Sequence, residues 1–353
     1  MRYWLLTGAV ALAAVGYVAF YMHVAGGFVA GIDVWLEARR AEGIEAGYRR
    51  MARDGFPFRV VVRLAEPRLA LPEEPPRLAW QAERLALVLQ PWDLRHLIFD
   101  LSGSGQLQAD GDDGRRRIDY GVADGLASYQ TDAAGRLFRL SADLQQVALD
   151  EVGGGAATLA RAQLHVRPGE ADSLDAALQL DRLRLDGARL PEAAGWFRVL
   201  GPEVMLLQAD LGLESAPPFR GGIGAWLERW RDGGGDLQLR RFKLVWGEVD
   251  IEATGTLALD EQLRPLGALT ARVKGHEHLV DAAVAAGQMR RRDGETAKAL
   301  LGLLARSAGG VLAVPVTLQD GVASLGPVPL VRLAPLLAPD DRSQAPPSPA
   351  PPR

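Results

Sequence analysis

A chain of 353 residues, 48% of them hydrophobic, is long enough for one large or two ordinary domains with a sizeable core. A net charge of −4 gives no support to nucleic-acid binding, and the complete lack of cysteine excludes structural disulfides, thiolate metal sites and a cysteine nucleophile. The basic residues are nearly all arginine, with lysine only at 243, 274 and 298, a usage that points to a GC-rich bacterial genome rather than to chemistry.

The first predicted element is a membrane anchor. From Tyr3 to Val24 the sequence YWLLTGAVALAAVGYVAFYMHV carries no formal charge. At about 1.5 Å per residue it makes a helix of roughly 33 Å, enough to cross a bilayer. Tyr3, Trp4, Tyr17 and Tyr21 lie towards its two ends, where amphipathic rings prefer the interface. Ala9-Val10-Ala11 and Ala11-Leu12-Ala13 resemble signal-peptide cleavage sites, but the apolar run continues well past both, which favours an uncleaved anchor over residues 1–31. Arg2 precedes the span and residues 25–38 contain Asp33 and Glu37 but no Lys or Arg, so the positive-inside tendency puts the rest of the chain outside the cytoplasm. The expected location is a bacterial inner membrane, single-pass, with the bulk periplasmic.

After a Gly-Gly link, residues 32–54 read as a membrane-proximal helix, with Ile44, Tyr48, Met51 and Ala52 at helical spacing. Gly55 and Pro57 end it, and the box Gly55-Phe56-Pro57-Phe58-Arg59 opens a strand whose buried face is expected to hold Phe56, Phe58, Val60, Val62 and Leu64. From there to residue 335 the period is mostly two. Leu85, Leu87 and Leu89 run up to a break at Gln90-Pro91-Trp92-Asp93, and Leu97 and Phe99 resume the alternation. Leu140, Ala142 and Leu144 change phase to Val147 and Leu149, which predicts a bulge at Gln145-Gln146. Ala160 to Val166, Leu178 to Leu185, Leu237 to Leu259, Leu269 to Val273 and Leu312 to Leu318 continue the pattern, separated by Gly- and Asp-rich turns.

Four helices are expected to interrupt the strands: 190–200, the stretch with Ile223, Trp226, Leu227 and Trp230 at i, i+3, i+4 and i+7, and a pair at 279–289 and 296–306. Residues 336–353 form a Pro-rich tail of low complexity, expected to be disordered. The fold class is therefore mainly β (α+β): an N-terminal transmembrane helix, then a long curved antiparallel meander with a few covering helices.

Motifs for catalysis are missing. His276-Glu277-His278 does not give two histidines four apart on a helix, and His165 falls on a polar strand face. Asp110, Asp112 and Asp113 lack the closing acidic residue of a calcium loop, the twelfth position being Gly121. Neither a nucleophile elbow nor a phosphate or dinucleotide loop is present. No cofactor is implied, and the expectation is a protein that is not an enzyme. The six tryptophans of the β-rich body, Trp80, Trp92, Trp196, Trp226, Trp230 and Trp246, read as core or sheet packing, with lining of an apolar groove as the alternative.

The segments GFPFRVVVRL, LAWQAERLALVLQPWDLRHLIFDLSG, TGTLALDEQLRPLGALTARVKGHEHLVDAAVAAG and LQDGVASLGPVPLVRLAPL together resemble a bacterial, mainly alphaproteobacterial, family known as domain of unknown function 2125. The resemblance covers about residues 1–335. Its motif residues here are Gly55, Phe56, Pro57, Phe58, Arg59, Trp80, Pro91 and Trp92, and it implies a membrane-anchored envelope protein without implying any catalytic residue. The strand-rich body is also similar in architecture to AsmA-like envelope proteins, a resemblance that implies lipid handling in a curled sheet. A long sheet with one apolar face needs a cover, and too few helices are predicted to supply it. The expected groove residues are Leu140, Leu144, Leu164, Val166, Leu178 and Trp246. Expected partners are the inner membrane through Tyr3 to Val24, a lipid or other apolar envelope molecule, and, on a scaffold reading, another envelope protein.

Overall fold

A computed structural model describes residues 2–71, 77–111, 114–152, 154–170, 173–186, 194–217, 223–307, 312–325 and 328–337. The Pro-rich tail beyond 337, Asp112, Asp113 and the start of the 190–200 helix lie outside these residues.

Helix α1 runs unbroken over Arg2–Ala41, so the expected link at Gly26-Gly27 does not exist. A Cβ at either glycine would meet only open space, and nothing there forces the helix to stop. It ends instead at Gly43, whose φ of 80° is the left-handed turn that closes a helix, with Gly43 N–H donating to Arg40 and Ile44 N–H to Arg39. The expected helix over 32–54 is thus corrected at its second half: residues 45–54 are two short strands, β1 (Glu45–Gly47) and β2 (Arg50–Asp54). Ile44, Tyr48, Met51 and Ala52 satisfy a helical period by coincidence.

The opening box is corrected too. Gly55, at φ 98°, starts a turn that contains a cis Phe56–Pro57 bond, and strand β3 begins only at Val60 (Val60–Ala65). Phe56 and Phe58 are 55% and 72% exposed, while Val60, Val61 and Val62 are all buried. The alternation written through residues 56–64 crosses a turn, and a turn resets the phase. Val61 is covered from the other side, because the loop folds back over it with Arg59 N–H donating to the Gly55 carbonyl at 3.1 Å.

The remaining strands form one open antiparallel sheet: β4 (Arg68–Leu71), β5 (Arg77–Ala82), β6 (Arg84–Gln90), β7 (Asp93–Asp100), β8 (Gly103–Gly111), β9 (Gly114–Thr131), β10 (Leu137–Glu151), β11 (Ala156–Pro168), β12 (Leu174–Asp186), β13 (Glu203–Leu213), β14 (Leu237–Trp246), β15 (Val249–Leu259), β16 (Pro265–Lys274), β17 (Leu312–Gln319), β18 (Val322–Leu325) and β19 (Val328–Arg332). From β9 to β19 each strand pairs with the next in sequence. Upstream the sheet forks: the first half of β9 pairs with β8, leading to β5, β4 and β1, and its second half pairs with β7, leading to β6, β3 and β2.

Helices α2 (Ala194–Leu200), α3 (Ile223–Asp232), α4 (His276–Ala285) and α5 (Arg291–Ser307) match the four expected ones. α4 and α5, with α2, cover β14 to β17 in a core built on Val249, Val273, Val280, Leu301 and Leu312. His276 sits in the first turn of α4, buried rather than solvated as expected, whereas Glu277 and His278 are exposed. At the opposite end Tyr21, Val24 and Ala25 of α1 pack on Val60, Val62, Leu87 and Leu89. The first part of α1, residues 3–16, projects with every side chain exposed, and it is long and apolar enough to cross a membrane.

The phase change in β10 has a different cause from the one expected. Gln146 holds φ 49° without any inserted residue, because pairing with β9 and β11 continues in the same register on both sides of it. Opposite it lie Ala123 and Ala160, then Arg182 at φ 52°, then Met205. These five residues, one per strand from β9 to β13, form a crease; β9, β10 and β11 each expose two consecutive side chains there, β12 and β13 expose Arg182 and Met205 alone, and the strands then resume on the same apolar face. It also corrects the phase of β11, where Leu159 is buried and Ala160 exposed.

Candidate functional site: an apolar trough

Strand pairing aligns the apolar side chains into rows across the sheet. One row passes from Val60 through Leu89, Leu97 and Tyr129 to Leu140 and Val166, then through Ala176, Leu211, Leu239, Gly255 and Leu269 to Val316 and Leu325. At about 4.8 Å per strand this is roughly 58 Å of uninterrupted apolar surface. A parallel row joins Val62, Leu87 and Phe99 to Ala142, Leu164 and Leu178, and ends at Ala271 and Val314.

The covers at the two ends leave a stretch between them. Under α1, Val60 and Val62 are fully buried, and under α2, α4 and α5 so are Ala271 and Leu325. In between, Leu140, Leu144, Leu164, Val166 and Leu178 are only half-buried, and no described helix makes an extensive contact with β10, β11 or β12. Five of the six expected groove residues therefore come together on one face: Leu140 opposite Val166, Leu164 opposite Leu178, and Leu144 one row further on. Trp246 is corrected. It lies on the same face but beneath α2, stacked on Trp196 at 6.4 Å and donating its indole N–H to the Gly201 carbonyl at 2.8 Å.

Below the crease the apolar face continues into the β8 arm of the fork. Val122, Val147 and Leu159 form a small core there, and among the described residues the apolar side chains packed on it come from strands. Beyond it a cleft of about 490 Å³ is lined by Leu69, Leu71, Leu78, Trp80, Leu107 and Ile118, with Arg116 at its rim. Trp80 is the motif residue in this cleft, and its indole N–H donates to the Tyr120 hydroxyl at 2.8 Å. Burial pushes the Tyr120 phenol above its ordinary pKa, with the Trp80 hydrogen bond acting the other way. Sequence reading missed the other lining residues, although Leu78-Ala79-Trp80 and Leu107-Gln108-Ala109 alternate; the strands are short and bordered by polar residues.

The reverse face is polar and cross-linked by charge. Arg161 meets Asp143 at 2.8 Å and holds its carboxyl below the usual range, Lys243 does the same for Glu252 at 2.9 Å, and His165 contacts the Ser141 hydroxyl at 3.0 Å. One wet and one apolar face is the common pattern of an antiparallel sheet that packs one side and leaves the other in water.

The other motif residues gather at the foot of α1. The Pro57 carbonyl accepts a hydrogen bond from the Tyr17 hydroxyl, and the Arg59 carbonyl accepts one from Tyr21 at 3.2 Å. Phe56 meets the Tyr21 ring edge-on at 5.0 Å, Pro91 is fully buried, and Trp92 is 63% exposed. Among the described residues no three His, Asp or Glu side chains converge as a metal site would require.

The sequence profile of a bacterial family, described as "Uncharacterized protein conserved in bacteria (DUF2125)", matches residues 21–334. Comparison with curated proteins and with solved structures gave no match.

Proposed function

Because this chain belongs to the DUF2125 family, which brings no activity with it, we propose from its own geometry that it is a membrane-anchored lipid-handling protein without enzymatic activity. The observation that carries this reading is the pair of apolar rows that run from beneath α1 to beneath α4 and α5 with an uncovered middle. Two half-buried rows lying side by side across the strands suit a slender, unbranched apolar molecule such as an acyl chain. The polar reverse face needs only water.

For location, Arg2 lies before the span and Asp33 and Glu37 follow it, which favours a single-pass inner-membrane protein with a periplasmic body. A reporter active only outside the cytoplasm, fused after Arg353, should be active; silence there would reverse the orientation.

The direct test is lipid extraction and mass spectrometry of protein purified in mild detergent. Bound lipid is expected, and Leu164→Arg, which puts a cation in the middle of the uncovered stretch, should lower its recovery while leaving a folded protein. Folded wild-type protein that never yields lipid would favour the second reading, a scaffold for other envelope proteins. That reading draws on Val122, Val147 and Leu159, which the sheet buries with its own side chains.

A further inference from the structure

The exposed aromatic residues of the family motif do not belong to the trough. Phe58, Trp92 and Leu94 are 72%, 63% and 61% exposed, and Phe56 is 55% exposed beside them. Scattered surface leucines need no explanation, but three of the large ones here stand at neighbouring loop tips on one edge of the sheet. Strand pairing fixes that placement: Val60 lies opposite Leu89, so the 55–59 loop adjoins the 90–93 turn, and Leu94 is the second residue of β7, which pairs with β6 there.

The height of this edge along α1 follows from the two hydrogen bonds of its tyrosines. A hydrocarbon core of about 30 Å takes up some 20 helical residues, so a span that starts at Tyr3 reaches its far boundary near residue 22. Tyr17 and Tyr21, in the last turns of that span, bond the Pro57 and Arg59 carbonyls. The 55–59 loop is thereby held level with the end of the membrane-crossing segment. At that depth tryptophan and phenylalanine side chains gain from the interface, and the exposed Arg53, Arg59 and Arg95 on the same edge are complementary to phosphate headgroups.

We infer that Phe56, Phe58, Trp92 and Leu94 form a second membrane contact, a foot that dips into the leaflet at which α1 emerges and seats the covered end of the trough on the bilayer surface. This rests on α1 being the membrane span. The foot and the helix together fix the tilt of the body, which a helix alone would leave free to swivel. The partner is the lipid of that same leaflet, not a protein, because the 55–59 loop is bonded through Tyr17 and Tyr21 to the span itself.

The natural absence of cysteine allows a clean test on the full chain. Single-cysteine variants Val10→Cys, Phe58→Cys, Leu94→Cys and Val152→Cys, each carrying a nitroxide, would be reconstituted in phosphatidylcholine–phosphatidylglycerol vesicles, and collision with oxygen would be compared with collision with a water-soluble nickel reagent. Residue 10 should read as bilayer interior. Residues 58 and 94 should read as shallow interface, with an oxygen-to-nickel ratio several-fold above that of residue 152 at the opposite sheet edge. If residue 10 is buried and residues 58 and 94 are as aqueous as residue 152, the foot is overturned while the span stands. If residue 10 is itself aqueous, the span fails and the foot falls with it.

Discussion

At residue 62 a valine side chain is fully buried against α1, whereas four residues earlier Phe58 points to the outside. Val62→Asp should therefore abolish folding of the N-terminal end, since an unpaired carboxylate would be forced into a dry contact, and Phe58→Asp should leave the melting temperature within a degree or two of wild type. Equal losses in a thermal melt would disprove this placement. Two hairpins reuse one device. Asp132-Ala-Ala-Gly-Arg136 and Asp260-Glu-Gln-Leu-Arg264 each close with a carboxylate that accepts the backbone N–H two residues on, the N–H four residues on and the arginine Nε, between 2.7 and 2.9 Å. Burial raises the Asp260 pKa, but the Arg264 backbone, the Arg264 guanidinium and the Gln262 N–H outweigh it, and the net shift is downward. A depressed folded pKa means a contribution that is complete above the unfolded carboxylate value of about 3.9 and disappears as pH falls through the folded value. Asp260→Asn should thus cost about 1–2 kcal/mol at neutral pH and progressively less as acid titrates the folded carboxylate, in denaturant titrations across that range.

Among the elements, the crease is the one whose sequence signal was seen and misread. The jump from Leu144 to Val147 is visible as a change of phase, but two-versus-one pairing and a single residue of positive φ leave the same trace in one strand. Only the neighbours tell them apart, and Ala160, Arg182 and Met205 are remote in sequence. Gln146→Gly should be neutral or slightly stabilising, while Gln146→Val should cost about 1–2 kcal/mol in a chemical melt, because a β-branched side chain resists φ 49°. Strands buried on one face, such as Leu178–Leu180 and Val249–Ala253, were legible because nothing competes with a period of two. The long β9 was not: Arg115 to Arg117 at its start and Gly121 and Gly125 along its length hide Ile118, Tyr120 and Val122. Strands β1 and β2 were lost to a helical reading because the helix stop at Gly43 was passed over for the stronger signal at Gly55 and Pro57. Of the candidate site, the trough floor followed from alternation alone, whereas Trp246 did not, since periodicity gives a face and says nothing of which helix covers it.

For the whole molecule, the two covered ends and the uncovered middle should differ in protection. Hydrogen exchange is expected to be slowest in β3, β6 and β15 to β17 and faster in β10 to β12, and the middle strands should slow selectively when protein that has been stripped of lipid is loaded with a fatty acid. Uniform protection with no response to loading would argue that the middle is a closed core. The strictly sequential pairing from β9 to β19 has a consequence for how the chain comes to exist. Each new strand pairs with the one made just before it, directly after a short turn in most cases and after the helical insertions α2, α3 and α4–α5 before β13, β14 and β17, so no late strand has to find an early one. Once α1 has gripped β3 and β6, the edge of β9 is a template, and the body can grow one strand at a time, with β19 laid down last.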